Sequence, residues 1–436
     1  MIERRLGLAC WAGAALAVLG CRKAPTPAET PSENAAEAAP VASAPDGGAP
    51  AGFVLVAPRC RATPRAVALD DGRGLDDLEI GEAEPFGGGQ AVGFVHRNAA
   101  GRAAAVALLG PGDADRARIV DLGPTAGDVP PPRLSPRGAD LIVAAYGASA
   151  AHSRRASTRD LIVRSVSPSG AVSAVASIPQ TRDDSLAFDF ATAGAGMLVV
   201  WDESTPARGV IRGSSLGADL RVAPPRDLSP PESDAEQPRV WSGGPGYLVL
   251  WIARRPDPSA PSDAAAAEAT GEERAFGWLE LLSVDAQGAP LGPVRRLTSP
   301  TGHVSAYDVA RLEGDPGALL VVARDDGETV DGSGGHLLRV HVTADVVDPP
   351  VTLPTDVLGR GAPAIVDDHP AFLAWVGRAE QLRLIPLDAS GAPAGPSSAE
   401  DEMNDGRPLL IAEGGKMLVA VPSDGAAQLR TFACSR

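Results

Sequence analysis

Lysine is almost missing from this 436-residue chain. It stands only at Lys23 and Lys416, so nearly all of the 39 basic side chains are arginine. With abundant alanine, glycine and proline, that bias follows from a GC-rich coding sequence and carries no functional meaning. Basic charge as a whole is short: 39 basic against 55 acidic residues leave a formal charge of −16. That balance argues against nucleic acid or an anionic lipid surface as partner, because both need a basic face. Familiar catalytic patterns are missing too. The six histidines (His96, His152, His303, His336, His341 and His369) include no HExxH motif. His336 and His341 straddle a predicted strand, where an offset of five turns the rings to opposite faces. No GxSxG elbow occurs. Paired carboxylates are abundant but unplaced, so a glycosidase pair stays open at this stage. No cofactor is expected. The folded region holds no long amphipathic helix pattern.

Cysteine is scarce, with four in all, and their positions organise the chain. Arg4 and Arg5 precede a run from Leu6 to Gly20 that is apolar or small throughout. At about 15 residues the run is shorter than the roughly 20 that a membrane-spanning helix needs. It has the proportions of a secretory h-region, which places residues 1–20 outside the fold. Val18-Leu19-Gly20-Cys21 resembles the lipobox of bacterial lipoproteins, with a bulky Leu19 where a small residue is usual. The resemblance implies cleavage before Cys21, acylation of that residue, and the lipid bilayer as a partner. The alternative is an ordinary signal cleaved after Ala15-Leu16-Ala17. Arg22 follows, and no aspartate stands there as a retention signal, which favours the outer membrane, periplasmic or surface-facing. Residues 21–52 are rich in Pro, Ala, Glu and Ser and nearly free of large apolar side chains. Such a segment buries too little to offset its ordering entropy and reads as a disordered tether. Cys60 and Cys434 remain, one near each end of residues 53–436. In an oxidising compartment they are expected to pair as a disulfide tying the ends together; two separately buried thiols are the alternative.

Residues 53–436 repeat. Apolar runs begin at Ala91 (AVGFVH), Leu141 (LIVAAY), Met197 (MLVVWD), Tyr247 (YLVLWI), Ala318 (ALLVVA), Ala371 (AFLAWV) and Lys416 (KMLVAV). The spacing is close to 50 once the loop-like segment 254–275 is set aside. Runs that are apolar throughout suit strands covered on both faces. Each is followed by a second, more alternating strand and then a turn. The turns DAQGAPLGP (285–293) and DASGAPAGP (388–396) match at seven of nine positions, and SPSGAVS (167–173) fills the same slot. This period with short strands is the mark of an all-β propeller. Seven blades are expected, with six or eight as alternatives. The apolar runs are expected to line the central channel. The ring is expected to close with strands from both termini, the N-terminal region supplying two. No WD, kelch or Asp-box series is present, so the chain resembles uncharacterised bacterial lipoproteins with a propeller domain, and the resemblance implies no activity.

Candidate sites follow from that scaffold. Trp201, Trp251 and Trp375 lie near the ends of the apolar runs, and read either as a stacking surface or as packing between blades. Glu313, Asp315, Asp367, Asp368 (with His369) and Glu413 lead into or flank the runs and would form an acidic rim. Asp325, Asp326 and Asp331 sit among glycines, but their spacing fits no calcium loop, and no metal is expected. The longest loops, at 147–160, 254–276 and 324–336, carry Arg154, Arg155, Arg254, Arg255 and Arg324. Long loops on a rigid scaffold are where recognition resides, so that face is the candidate binding face. The expected function is an envelope-anchored binding or scaffolding platform with an envelope protein or glycan partner and no catalysis. The alternative is an envelope hydrolase or lyase acting on polysaccharide.

Overall fold

The strands assemble into seven four-stranded antiparallel sheets, seen in a computed structural model that describes residues 59–68 and most of 76–435. Residues 1–58 and several loops, among them 149–158, 256–275, 328–334 and 366–371, lie outside the described residues. Six sheets are each built from four consecutive strands. The first strands of sheets one to six are Asp76–Phe86, Arg133–Arg137, Phe188–Ala193, Asp234–Gly243, Val304–Leu312 and Ala364–Ile365. Sheet seven is composite, with Leu409–Glu413, Lys416–Ser423 and Ala426–Ser435 joined by Arg59–Ala68. Neighbouring sheets touch around a complete circuit, mostly through their first strands and including sheet seven against sheet one. The fold is a β-propeller.

The seven apolar runs all fall in the second strand of their sheets: Gly89–Asn98, Asp140–Ala148, Gly196–Ser204, Gly246–Arg254, Asp315–Asp325, Phe372–Val376 and Lys416–Ser423. This corrects the expectation that they line the channel. The reason is visible in the packing. Met197, Val199 and Trp201 join a buried cluster with sheet two, whereas Leu198 and Val200 join one with sheet four. Tyr247, Val249 and Trp251 likewise pack towards sheet three, and Leu248, Leu250 and Ile252 towards sheet five. Successive side chains of a strand point to opposite faces, so a strand sandwiched between two sheets is apolar at every position. Each such side chain, fully buried, contributes about 1.5–3 kcal/mol. The core therefore lies between sheets, and the channel is left to the more polar first strands.

Ring closure differs from the expectation in one respect. The N-terminal region supplies a single strand, because the C-terminal part already provides three. The following segment, Asp76–Phe86, opens sheet one instead. The closing strand pairs antiparallel with the last strand, in a register that sets Cys60 opposite Cys434.

The repeated turns are hydrogen-bonded alike. In the turn at 285–289, Asp285 N–H donates to Ala289 O (2.8 Å), Gly288 N–H to Asp285 O (2.9 Å), and the Asp285 carboxylate accepts from Gln287 and Ala289 N–H. Asp388 to Ala392 repeats this pattern, and Ser167 to Ala171 uses a hydroxyl in place of the carboxylate. The fourth turn residue has φ of 74° at Gly170, 75° at Gly288 and 72° at Gly391. Sheet three places Leu220 there, at φ 59°. That conformation is costly for a side chain with a Cβ, and Leu220 is held by packing against the core shared with sheet two.

Candidate functional site

First strands carry two alternating sequence patterns. Phe188-Asp189-Phe190-Ala191 in sheet three matches Tyr307-Asp308-Val309-Ala310 in sheet five: aromatic, aspartate, apolar, alanine. Pro132-Arg133-Leu134 in sheet two matches Pro238-Arg239-Val240 in sheet four, and Pro363-Ala364-Ile365 holds the place in sheet six. Pro132 and Pro363 stand just before their strands and Pro238 inside an irregularity of the sheet-four ladder, places where the missing N–H costs no ladder bond. Sheet one contributes Glu82.

The two patterns dock on each other. Each acid accepts a backbone N–H from the apolar residue of the next sheet: Glu82 from Leu134 (3.4 Å), Asp189 from Val240 (2.9 Å) and Asp308 from Ile365 (3.0 Å). The arginines then fill the space between acids. Arg239 contacts Asp308 at 3.1 Å, Glu82 at 3.3 Å and Asp189 at 3.6 Å, reaching acids on three sheets from a fourth. Arg133 pairs with Glu82 and donates to Phe188 O. Side-chain exposure is 10% for Arg239, 7% for Asp189 and 4% for Asp308. Beside them Tyr307 O–H donates to Gln237 O (2.7 Å) and Leu250 O (3.0 Å). Gln237 itself is at φ 55°, inside an irregularity of the strand ladder between Glu236 and Arg239. A non-glycine residue held in the left-handed region persists only where its surroundings fix it; here the Asp202 carboxylate and Tyr307 do so.

Electrostatics follow from this burial. Burial works against the charge of Arg239, but Asp189, Asp308 and Glu82 outweigh it and hold its pKa above the usual arginine range. Burial pushes the Asp189 carboxyl up, against the pull of Arg239 and Arg133 and with repulsion from Glu82. Burial also raises the Tyr307 phenol well above its ordinary value. In a low-dielectric site such a network holds only while its members remain paired.

On one side of this clasp lies a cavity of about 340 Å³. Arg239, Glu82 and Asp189 contribute to its lining, together with later residues of the same first strands, including Glu84, Thr192 and Ser242. Those strands run on from there into the hairpins that open the second strands, so the cavity lies at the hairpin end of the ring. Arg311 donates to Ser242 O (2.8 Å) and to the Ser242 hydroxyl. Ser135 and Thr192 share a hydroxyl hydrogen bond of 3.1 Å. The Arg239 guanidinium stands 5.2 Å from the centroid of the Trp241 ring.

The structure places the sequence candidates as follows. Trp201, Trp251 and Trp375 are buried between sheets, with 1%, 0% and 2% of their surface exposed. Trp251 and Trp278 both donate to the buried Glu280 (3.0 and 2.8 Å). These tryptophans are packing, which corrects the stacking-surface reading. Arg254 donates twice to Glu236, and Arg324 donates to Asp326 and Gly361 O. Arg255 is exposed, and Arg154 and Arg155 lie outside the described residues. Asp325 accepts from His303 and Gly327 N–H, which leaves it in a loop-ordering role; Asp331 lies outside the described residues. Asp315 and Glu413 flank first-to-second-strand hairpins, paired with Leu312 and Lys416. They stand at the same end of the ring as the cavity. Glu313, Asp367, Asp368 and His369 lie outside the described residues. His341 pairs with Asp348. Among the described residues, no three His, Cys, Asp or Glu side chains are placed to hold a metal ion.

The sequence candidates did not include the clasp itself. Its acids and arginines are single charges, far apart in the chain. The signal that finds them is the repeated aromatic-Asp-apolar-Ala and Pro-Arg-apolar pattern, visible once first strands are aligned.

Neither a comparison with protein-family models nor one with curated proteins gives a match. Solved structures similar to this chain include the β-propeller domain of the Trilobed protease from Pyrococcus furiosus, with 10% identity, 82% of this chain and 94% of that one covered, and a TM-score of 0.46. The polysaccharide lyase Uly1 shows 7% identity, coverage of 81% and 88%, and a TM-score of 0.47. An α-L-arabinofuranosidase of Fusarium graminearum shows 10% identity, coverage of 68% and 89%, and a TM-score of 0.41. These are likenesses of fold alone.

Proposed function

We propose that this chain is a lipid-anchored protein of the bacterial cell envelope whose propeller serves as a binding or scaffolding platform without catalysis. Acylated Cys21 holds it to the outer membrane, residues 21–52 form the leash, and the ring presents its faces to an envelope protein or glycan. One observation carries the non-catalytic part. The acids at the centre of the channel are each engaged, by Arg239 or Arg133 and by a backbone N–H of the next sheet. A general acid or nucleophile must meet substrate with its proton or lone pair available. Carboxylates clamped between guanidinium and backbone serve instead to hold sheets together.

Hydrolysis or cleavage of polysaccharide is the second reading. The carboxylates beside the cavity favour it; the buried tryptophans count against it, since they leave Trp241 as the only tryptophan among the cavity's lining residues.

The test is an affinity capture of the native lipidated protein from detergent-solubilised envelopes, with Cys21→Ala as control. The proposal expects the wild type in the membrane fraction, carrying one reproducible envelope component, and the variant released from membrane. A variant that stays membrane-bound would overturn the anchor, and a bait that returns empty would overturn the platform.

A further inference from the structure

We infer that the cavity above the Arg239 clasp is a binding cup for a small neutral polyhydroxylated ligand, of one or two sugar rings. This deepens the platform reading, since a ligand there is held and not transformed. The clasp forms the floor. Arg239 joins acids from three sheets across the channel, and Glu82 and Asp189 complete that surface. What lies above is a cup open towards the hairpin end, at about 340 Å³. That volume falls at the lower end of small-molecule sites, which span about 300–1,000 Å³.

The chemistry of the wall selects the ligand class. Glu82, Glu84 and Asp189 line it with carboxylates, and Arg239 and Arg311 line it with guanidinium groups. An anion would meet three carboxylates, and a cation would meet two guanidinium groups. A neutral molecule avoids both costs. The Ser135 and Thr192 hydroxyls, 3.1 Å apart, share one hydrogen bond and keep capacity for others. A ligand that can both donate and accept at each position fits such a mixed wall, and sugar hydroxyls do this at every carbon. An apolar ligand would leave the wall's donors and acceptors unpaired, at a cost for each.

Trp241 lines the cup, so its fluorescence reports occupancy. The experiment titrates the full-length protein in detergent with maltose and with D-glucose, and with L-arginine and citrate as charged controls. A saturable change is expected with at least one sugar, lost in Trp241→Phe. The affinity should fall about tenfold in Thr192→Val and again in Ser135→Ala, each hydroxyl supplying one hydrogen bond. Circular dichroism of the variants must match wild type, since Ser135→Ala deletes one hydroxyl and Thr192→Val exchanges one for a methyl group. A flat response to both sugars, or saturation by arginine or citrate alone, would overturn the cup. So would a sugar response unchanged in the two hydroxyl variants. Mass spectrometry of the recovered sugar separates the two proposals: a sugar bound but returned cleaved would sink the non-catalytic reading while leaving the cup standing.

Discussion

Arg239 in sheet four lies 3.3 Å from Glu82 in sheet one, two sheets that are not neighbours around the ring. The contact crosses the channel. The same guanidinium also reaches Asp189 and Asp308 on the two adjacent sheets, so one side chain ties four sheets at the axis. Between sheets, packing is apolar and non-directional; at the axis, geometry is set by charge.

Removing that side chain should be severe. Arg239→Met roughly keeps the volume but removes the guanidinium shared by three carboxylates, two of them almost wholly buried. Breaking a buried pair from one side costs about 3–5 kcal/mol. Urea denaturation should show that loss, whereas Arg221→Met, at an arginine whose side chain is 90% exposed, should fall within about 0.5 kcal/mol of wild type.

Asp189 gives the clasp a pH dependence. Its carboxyl is raised by burial, despite Arg239. From about pH 4, where an unfolded aspartate loses its proton, up to the raised folded value, the folded state binds the extra proton. This group's contribution to stability is therefore fully present at lower pH and is lost as pH rises through the folded value. Denaturation midpoints across that interval should fall more steeply with pH in wild type than in Asp189→Asn, which cannot ionise. Equal slopes would show that Asp189 does not titrate as its burial requires.

Two glycines at the same turn position should respond differently to alanine. Gly288 and Gly391 both sit near φ 75°. A Cβ on Gly288 would lie 3.1 Å from Leu198 Cδ1, but one on Gly391 only 2.5 Å from Leu320 Cδ2. Gly288→Ala should cost about 1 kcal/mol from backbone strain. Gly391→Ala should cost about 1–3 kcal/mol more, from overpacking against the neighbouring sheet. Thermal unfolding of the two variants checks the order.

Cys60 and Cys434 stand opposite each other in the closing strand pair, which supports the proposed disulfide. If it forms, it links the two ends of the ring, and removing such a bond typically costs about 2–5 kcal/mol. Cys434→Ser should lower the melting temperature under oxidising conditions and leave it unchanged in reductant. Thiol titration of the unfolded wild type should then find neither cysteine free; two free thiols would refute the bridge.

What could be read from the sequence was the repeating part. Met197–Trp201 and Tyr247–Ile252 are apolar at every position because each strand is covered on both sides, and a run of that kind is visible without coordinates. The turns at Asp285 and Asp388 were equally plain, since one carboxylate and one glycine determine them. Strand order was not legible. An apolar run says that it is buried, not which strand stands beside it towards the axis, so the pattern alone points to the wrong strands for the channel. The clasp was missed for a related reason. Glu82, Asp189, Arg239 and Asp308 are scattered over more than half the chain, and each looks like an ordinary surface charge until the ring brings them together. Arg254 and Arg324 show the converse, since they stand out beside long loops yet are already bonded, Arg254 to Glu236 of its own sheet and Arg324 to Asp326 and Gly361 O.

The most direct test of the whole account is a product assay. Full-length protein is incubated with polysaccharide isolated from envelopes of the same cells, and new reducing ends and unsaturated sugars are measured over time. The account predicts no products above the rate in an Arg239→Met control. Turnover by the wild type that disappears in Glu82→Gln would contradict it, and would make the clasp's acids part of an active site.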